Sequence, residues 1–259
     1  MPLAMDRVYL YDSTLRDGAQ SRDVDFSVSD KQAIALALDA FGIDYIEGGW
    51  PGANPRDDTF FAKPPSLKQA RLTAFGMTRR HGRSVDNDPG IAGLREANTQ
   101  QVCIVGKAWD FHIEKALEIT PEDNAAMIAD TVRYFVAQGR EVLFDAEHFF
   151  DGYKHNAEIA LRMALAAYEA GARWIVLCDT NGGSMPHQIS EIVQEVTQHI
   201  PGERLGIHCH NDTEQAVANS IAAVLAGVRQ CRARSTGSGS GAATPPDFRD
   251  SHPDAQAWL

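Results

Sequence analysis

Cysteine is scarce in this chain: four in 259 residues, at positions 103, 178, 209 and 231, with no Cys-x-x-Cys pair. That excludes a disulfide framework and the common structural zinc motifs, and leaves buried, reduced thiols as the simplest reading. Long apolar runs are missing too. No segment approaches membrane-spanning length, and the N-terminus has no apolar core of signal-peptide size, so neither membrane insertion nor secretion is expected. Basic charge is also short, with 24 Lys and Arg against 35 Asp and Glu, a net charge of −11. A nucleic-acid binder needs a basic surface for phosphates, so nucleic acid is not an expected partner. What is present, an apolar fraction of 44%, is ordinary for a cytoplasmic globular enzyme. The length suits one (β/α) barrel or two smaller domains.

Short apolar runs alternate with longer amphipathic ones. Val8–Tyr11, Tyr45–Glu47, Leu72–Phe75, Val102–Val105, Glu141–Phe144, Trp174–Cys178 and Leu205–His208 read as strands. Between them lie helical patterns, such as Ser29–Phe41 with Ser29 as N-cap and Gly42 as stop. Another is Pro121–Ala137, with Thr120 as N-cap and Gly139 as stop. Seven βα units of this kind predict an α/β fold with a parallel sheet and right-handed crossovers. Polar residues follow nearly every strand: Asp12, Arg16 and Asp17; Glu47; Glu147 and His148; Asp179, Thr180 and Asn181; His208 and His210. An open doubly wound sheet gathers its ligands at one or two switch points, whereas a TIM (β/α)8 barrel gathers them around the C-terminal ends of its strands. The barrel is therefore the expected architecture.

His208-Cys209-His210 is the most pointed motif. Residues two apart on a strand share a face, so both imidazoles point one way and Cys209 points the other. Two neutral imidazoles at a strand end form half of a divalent-metal site. Asp17, at the close of the first strand, supplies a carboxylate across the expected barrel. Taken singly, Asp17 is a turn residue, Arg16 a surface arginine and His208 a core histidine; the joint pattern makes the site. One carboxylate and two histidines leave open positions for substrate oxygens, and Mg²⁺, Mn²⁺ or Zn²⁺ would suit. Arg16 could stabilise negative charge on an oxygen, Thr180 could bind a substrate carboxylate, and Glu147 could serve as acid or base. Glu47 could hold Arg16 in place.

The segment Tyr11-Asp12-Ser13-Thr14-Leu15-Arg16-Asp17-Gly18-Ala19-Gln20, with His208-Cys209-His210-Asn211-Asp212, closely resembles the DRE-TIM metallolyase superfamily. That superfamily includes the 2-isopropylmalate, homocitrate and citramalate synthases and hydroxymethylglutaryl-CoA lyase. Residues 44–55, 145–154 and 177–183 look like the citramalate synthase branch. The resemblance implies condensation of acetyl-CoA with pyruvate to give citramalate and CoA, a step toward isoleucine, with a homodimeric assembly. It implies Asp17, His208 and His210 as metal ligands, Arg16 and Thr180 at the keto acid, Glu147 as acid/base, and Glu47 as the glutamate of the superfamily's name. The 2-isopropylmalate and homocitrate synthases, or a non-catalytic remnant, are the alternative readings.

After Gln230 the pattern changes. The family continues with a strand and a glycine-rich loop. Here Cys-Arg-Ala-Arg-Ser-Thr-Gly-Ser-Gly-Ser-Gly follows, which reads as low-complexity and disordered. The expectation is a catalytic domain over 1–230 that lacks its eighth strand and an aberrant tail over 231–259, with weak or absent activity as a result. Codon degeneracy suggests a cause. One permitted codon set for Gln230 to Pro245, regrouped from the last base of the Gln230 codon, reads Val-Gln-Gly-Thr-Leu-Asn-Gly-Leu-Gly-Glu-Arg-Cys-Gly-Asn-Ala, which matches the family loop.

Overall fold

The structure, a computed structural model, describes residues 7–21 and 24–234. The strands are β1 (Tyr9–Asp12), β2 (Tyr45–Gly49), β3 (Arg71–Met77), β4 (Gln101–Lys107), β5 (Glu141–Glu147), β6 (Trp174–Asp179), β7 (Leu205–Cys209) and β8 (Gln230–Ala233). The helices are α1 (Val28–Phe41), α2 (Pro55–Ala62), α3 (Pro89–Glu96), α4 (Asp110–Lys115), α5 (Pro121–Ala137), α6 (Phe149–His155), α7 (Ala157–Glu169), α8 (Pro186–Val196) and α9 (Ala216–Leu225). All strand pairs are parallel, in sequence order, and close into a barrel.

Strand alternation sorts the core into two layers. Tyr11, Tyr45, Phe75, Cys103, Leu143, Trp174, Val176 and Cys178 fill the barrel interior. Their neighbours in sequence, among them Ile46, Val102, Ile104, Val142, Phe144, Ile175 and Leu177, pack outward under the helices. Helix boundaries follow local chemistry. Ser27, rather than Ser29, caps α1, in a reciprocal capping box with Asp30, and Gly42 ends it in the left-handed conformation. Thr120 caps α5, with Pro121 in its first turn. Asp151-Gly152, a dipeptide common in turns, lies inside α6, a short helix that the periodicity did not reveal.

The expected gap at strand eight does not exist. β8 pairs with β1 from Tyr9↔Gln230 to Asp12↔Ala233, and with β7 at Gly206↔Gln230 and Ile207↔Cys231. The incomplete, seven-unit barrel is therefore corrected to a closed, eight-stranded one, and β1 and β7 have no open edge. The strand escaped an apolar-pattern reading because Gln230 and Arg232 are polar yet fully buried. Arg232 stacks over Tyr11, 3.9 Å from the ring centre, and its charge is met by Asp145. The boundary at 230 also falls inside β8, since residues 231–233 belong to the barrel. The rest of the expected tail, 235–259, lies outside the described residues.

Candidate metal-centred active site

A tight turn sets Arg16 and Asp17 side by side after β1. The Ser13 carbonyl accepts from the N–H groups of Arg16, Asp17 and Gly18 at 3.2, 2.9 and 3.1 Å. Ser13 in turn donates its backbone N–H to the Ala233 carbonyl at 2.9 Å, so the turn rests on β8. Across the barrel mouth, β7 ends at His208-Cys209. Asp17 Oδ2 lies 3.7 Å from His208 Nε2 and 4.0 Å from His210 Nε2. One ligand atom from each of the three can be chosen so that all lie within 4.8 Å of one another. Cys209 faces the outer core, as alternation requires.

This donor set fits a divalent metal. His208 Nε2 is buried and has no hydrogen-bond partner, an orphaned acceptor that an ion would satisfy. Burial, then the neighbouring His210 and the guanidinium groups of Arg232 and Arg16, push the His208 pKa well below 6.5. It is thus held neutral, the form that ligates.

Glu47 organises the arginine. It is fully buried and accepts from Arg16 Nε at 2.8 Å and from the Tyr11 hydroxyl at 2.7 Å. Burial opposes charge on Arg16, but Glu47 and Asp17 outweigh it and raise its pKa further. Its guanidinium stacks on Phe75 with 4.0 Å to the ring centre. A register shift in β2 between Glu47 and Gly49 turns the chain here. Gly49 has φ +145°, and a Cβ there would collide with the Asp57 carboxylate, so this position calls for glycine.

On the opposite wall, Glu147 ends β5 beside Lys107 at the end of β4, in register, with Lys107 Nζ donating to Glu147 Oε2. His148 follows in the left-handed region, φ 56°, which swings the chain into α6. The Thr180 hydroxyl oxygen accepts from the His148 backbone N–H at 2.9 Å. A cleft of about 590 Å³ opens beside Arg16, bounded by Trp50, Asn54 and Arg56. Asp17, His208 and His210 come together as one cluster, Arg16 and Glu47 adjoin it, and Glu147 and Thr180 stand on the β5 and β6 side.

No site role follows from the sequence for Lys107, Arg232 or, although its segment 145–154 is distinctive, Asp145. Lys107 and Asp145 were within reach, because they share strand parity with the interior residues Cys103 and Leu143. Arg232 was not, because nothing local marks its segment as a strand.

The profile of the HMGL-like family matches residues 7–244. The chain belongs to the HMGL-like family. Within it, this chain is 54% identical over 236 residues to an (R)-citramalate synthase from Aquifex aeolicus, covering 90% of this chain and 45% of the relative. It is 32% identical over 237 residues to a 2-isopropylmalate synthase from Pelotomaculum thermopropionicum, covering 90% of this chain and 46% of the relative. This HMGL-like chain therefore spans less than half the length of these relatives. The crystal structure of Bacillus subtilis HMG-CoA lyase superposes with a TM-score of 0.79 at 18% identity, over 98% of this chain and 87% of the other, a likeness of fold. Among the described residues, no helix is long and apolar enough to cross a membrane.

Proposed function

We propose that this domain condenses acetyl-CoA with pyruvate, giving citramalate and CoA. The observation that carries the reading is the facing of Asp17, His208 and His210 with the Arg16–Glu47 pair beside them, joined to 54% identity with a citramalate synthase. Asp17, His208 and His210 would hold a divalent ion. When bound, it supplies Lewis-acid polarisation of the 2-oxo acid.

The chain's own residues do the rest. Arg16, kept charged by Glu47, orients the oxo acid and stabilises charge developing on its keto oxygen. Thr180 Oγ1 binds the carboxylate of the oxo acid. Glu147 is held through Oε2 by Lys107, which leaves Oε1 to take a proton from the acetyl methyl group. The methyl carbon then bonds to the keto carbon, the keto oxygen takes up a proton to become the product hydroxyl, and water cleaves the thioester, its OH going to the acyl carbon and its remaining proton to the CoA sulfur. The expectation of weak activity rested on a missing strand and on the altered segment that replaces the family's glycine-rich loop; closure by β8 removes the first ground, and the second lies outside the described residues.

The test is CoA-thiol release by the purified chain with acetyl-CoA, a divalent metal and, in parallel, pyruvate, 2-oxoisovalerate or 2-oxoglutarate. The expected result is release that needs metal and is fastest with pyruvate. A folded, metal-loaded chain that releases no CoA with any of them overturns the proposal, and preference for 2-oxoisovalerate would move it to the 2-isopropylmalate reaction.

A further inference from the structure

His208 belongs to two ligand sets. Besides Asp17 and His210, it lies with Asp145 and Cys178 in a second group whose ligand atoms are within 4.8 Å of one another, all three residues buried. Asp145 sits on β5 one inward position below Glu147. Cys178 pairs in register with His208 across β6 and β7. Carboxylate, thiol and imidazole together would attract a thiophilic ion such as Zn²⁺ or Co²⁺ more strongly than the upper set does. An ion drawn down to them would leave the substrate side of the barrel.

The guanidinium of Arg232 stands against that lower set. Nη1 donates to Asp145 Oδ2, and Nη2 lies 3.5 Å from Cys103 Sγ. Nη1 is also 3.7 Å from Glu47 Oε1. The side chain is fully buried. We infer that Arg232 is the barrel's fixed internal cation, which takes Asp145 away from the lower set and so confines a metal to Asp17, His208 and His210. The inference rests on the metal reading of the upper set. Without the guanidinium, Asp145 becomes an uncompensated buried carboxylate, and a divalent ion can replace the lost charge. Cys178 would then bind as thiolate, its proton passing to solvent.

The test is Co²⁺ titration followed by absorption, in which a thiolate ligand adds an intense near-ultraviolet band. The wild-type chain should bind Co²⁺ without that band. Arg232→Met should gain it, and the double variant Arg232→Met/Cys178→Ser should lose it again. A folded Arg232→Met chain with the wild-type spectrum, or a thiolate band in the wild type, overturns the assignment. Asp17→Asn that binds Co²⁺ as tightly as wild type removes the upper set, and the inference with it. If Arg232→Met does not fold, Arg232→Gln removes the charge while keeping a polar side chain and should show the same band. Cys178→Ser in the otherwise unchanged chain should leave Co²⁺ affinity as it is; a tenfold weakening would overturn the proposal.

Discussion

At the scale of single residues, Glu47 separates charge from hydrogen bonding. It is fully buried and serves both the Arg16 guanidinium and the Tyr11 hydroxyl. Neutralising one member of a buried ion pair strands its partner in low dielectric, a cost of about 3–5 kcal/mol. Removing one hydrogen bond from a neutral donor to a charged group, as Tyr11→Phe does, costs about 1.5–3 kcal/mol. Urea unfolding should therefore show Glu47→Gln destabilised about twice as much as Tyr11→Phe. Equal effects would mean that Glu47 acts as a hydrogen-bond acceptor and not as the counter-charge of Arg16. The pairing of Arg16 with Glu47 was open to inference from residue types at strand ends. The convergence of Arg232 on the same carboxylate was not. It depends on which of two parities β8 presents to the interior, and a strand without an apolar face offers no sign of that.

At the scale of elements, α1 is tied to the chain leading into β3 by one carboxylate. Asp39, near the end of α1, accepts from the backbone N–H groups of Lys68, Gln69 and Ala70 at 2.8, 2.9 and 2.7 Å. Burial opposes its charge, but the three donors outweigh burial and hold its pKa below the ordinary 3.8. A carboxylate with a depressed folded pKa contributes stability that is present above the unfolded value and is lost as the pH falls through the folded one. Asp39→Asn should cost about 1–3 kcal/mol at pH 7, because Asn leaves at least one of these donors unmatched. The gap between variant and wild type should close as the pH drops below 3.8. Urea midpoints measured across that range check both points, and a gap that persists in acid would refute the charge argument. The helices themselves were largely legible, because caps and stops such as Thr120 and Gly139 are local chemistry. The bond from Asp39 to residues 68–70 is a tertiary contact across about thirty residues, and α6 is too short for periodicity to register.

At the scale of the whole molecule, the decisive element is the one that the amino-acid pattern hid. The barrel closes through four residues, Gln230–Ala233. Their interior positions carry an amide and a guanidinium where an aliphatic side chain is the usual choice, and Gly206 on β7 is what makes room for Gln230. Closure therefore rests on the β1–β8 and β7–β8 pairing and on one specific polar partner, Asp145 for Arg232, and not on generic apolar burial; the Gln230 amide is buried without a hydrogen-bond partner. A chain ending at Arg229 should show what that closure is worth. It loses every β1–β8 and β7–β8 hydrogen bond and the Ser13 contact to Ala233, and it exposes two strand edges and the interior around Tyr11. The metal ligands Asp17, His208 and His210 all remain in that shortened chain, so sequence content alone would leave the site intact. The structure argues otherwise, because the turn bearing Asp17 hangs on β8. The expected outcome is a chain that aggregates on size exclusion, unfolds without a sharp thermal transition and binds Co²⁺ at least tenfold more weakly than the full chain. A monomeric product with an unchanged melting temperature and full Co²⁺ affinity would show that β8 neither closes the barrel nor positions Asp17.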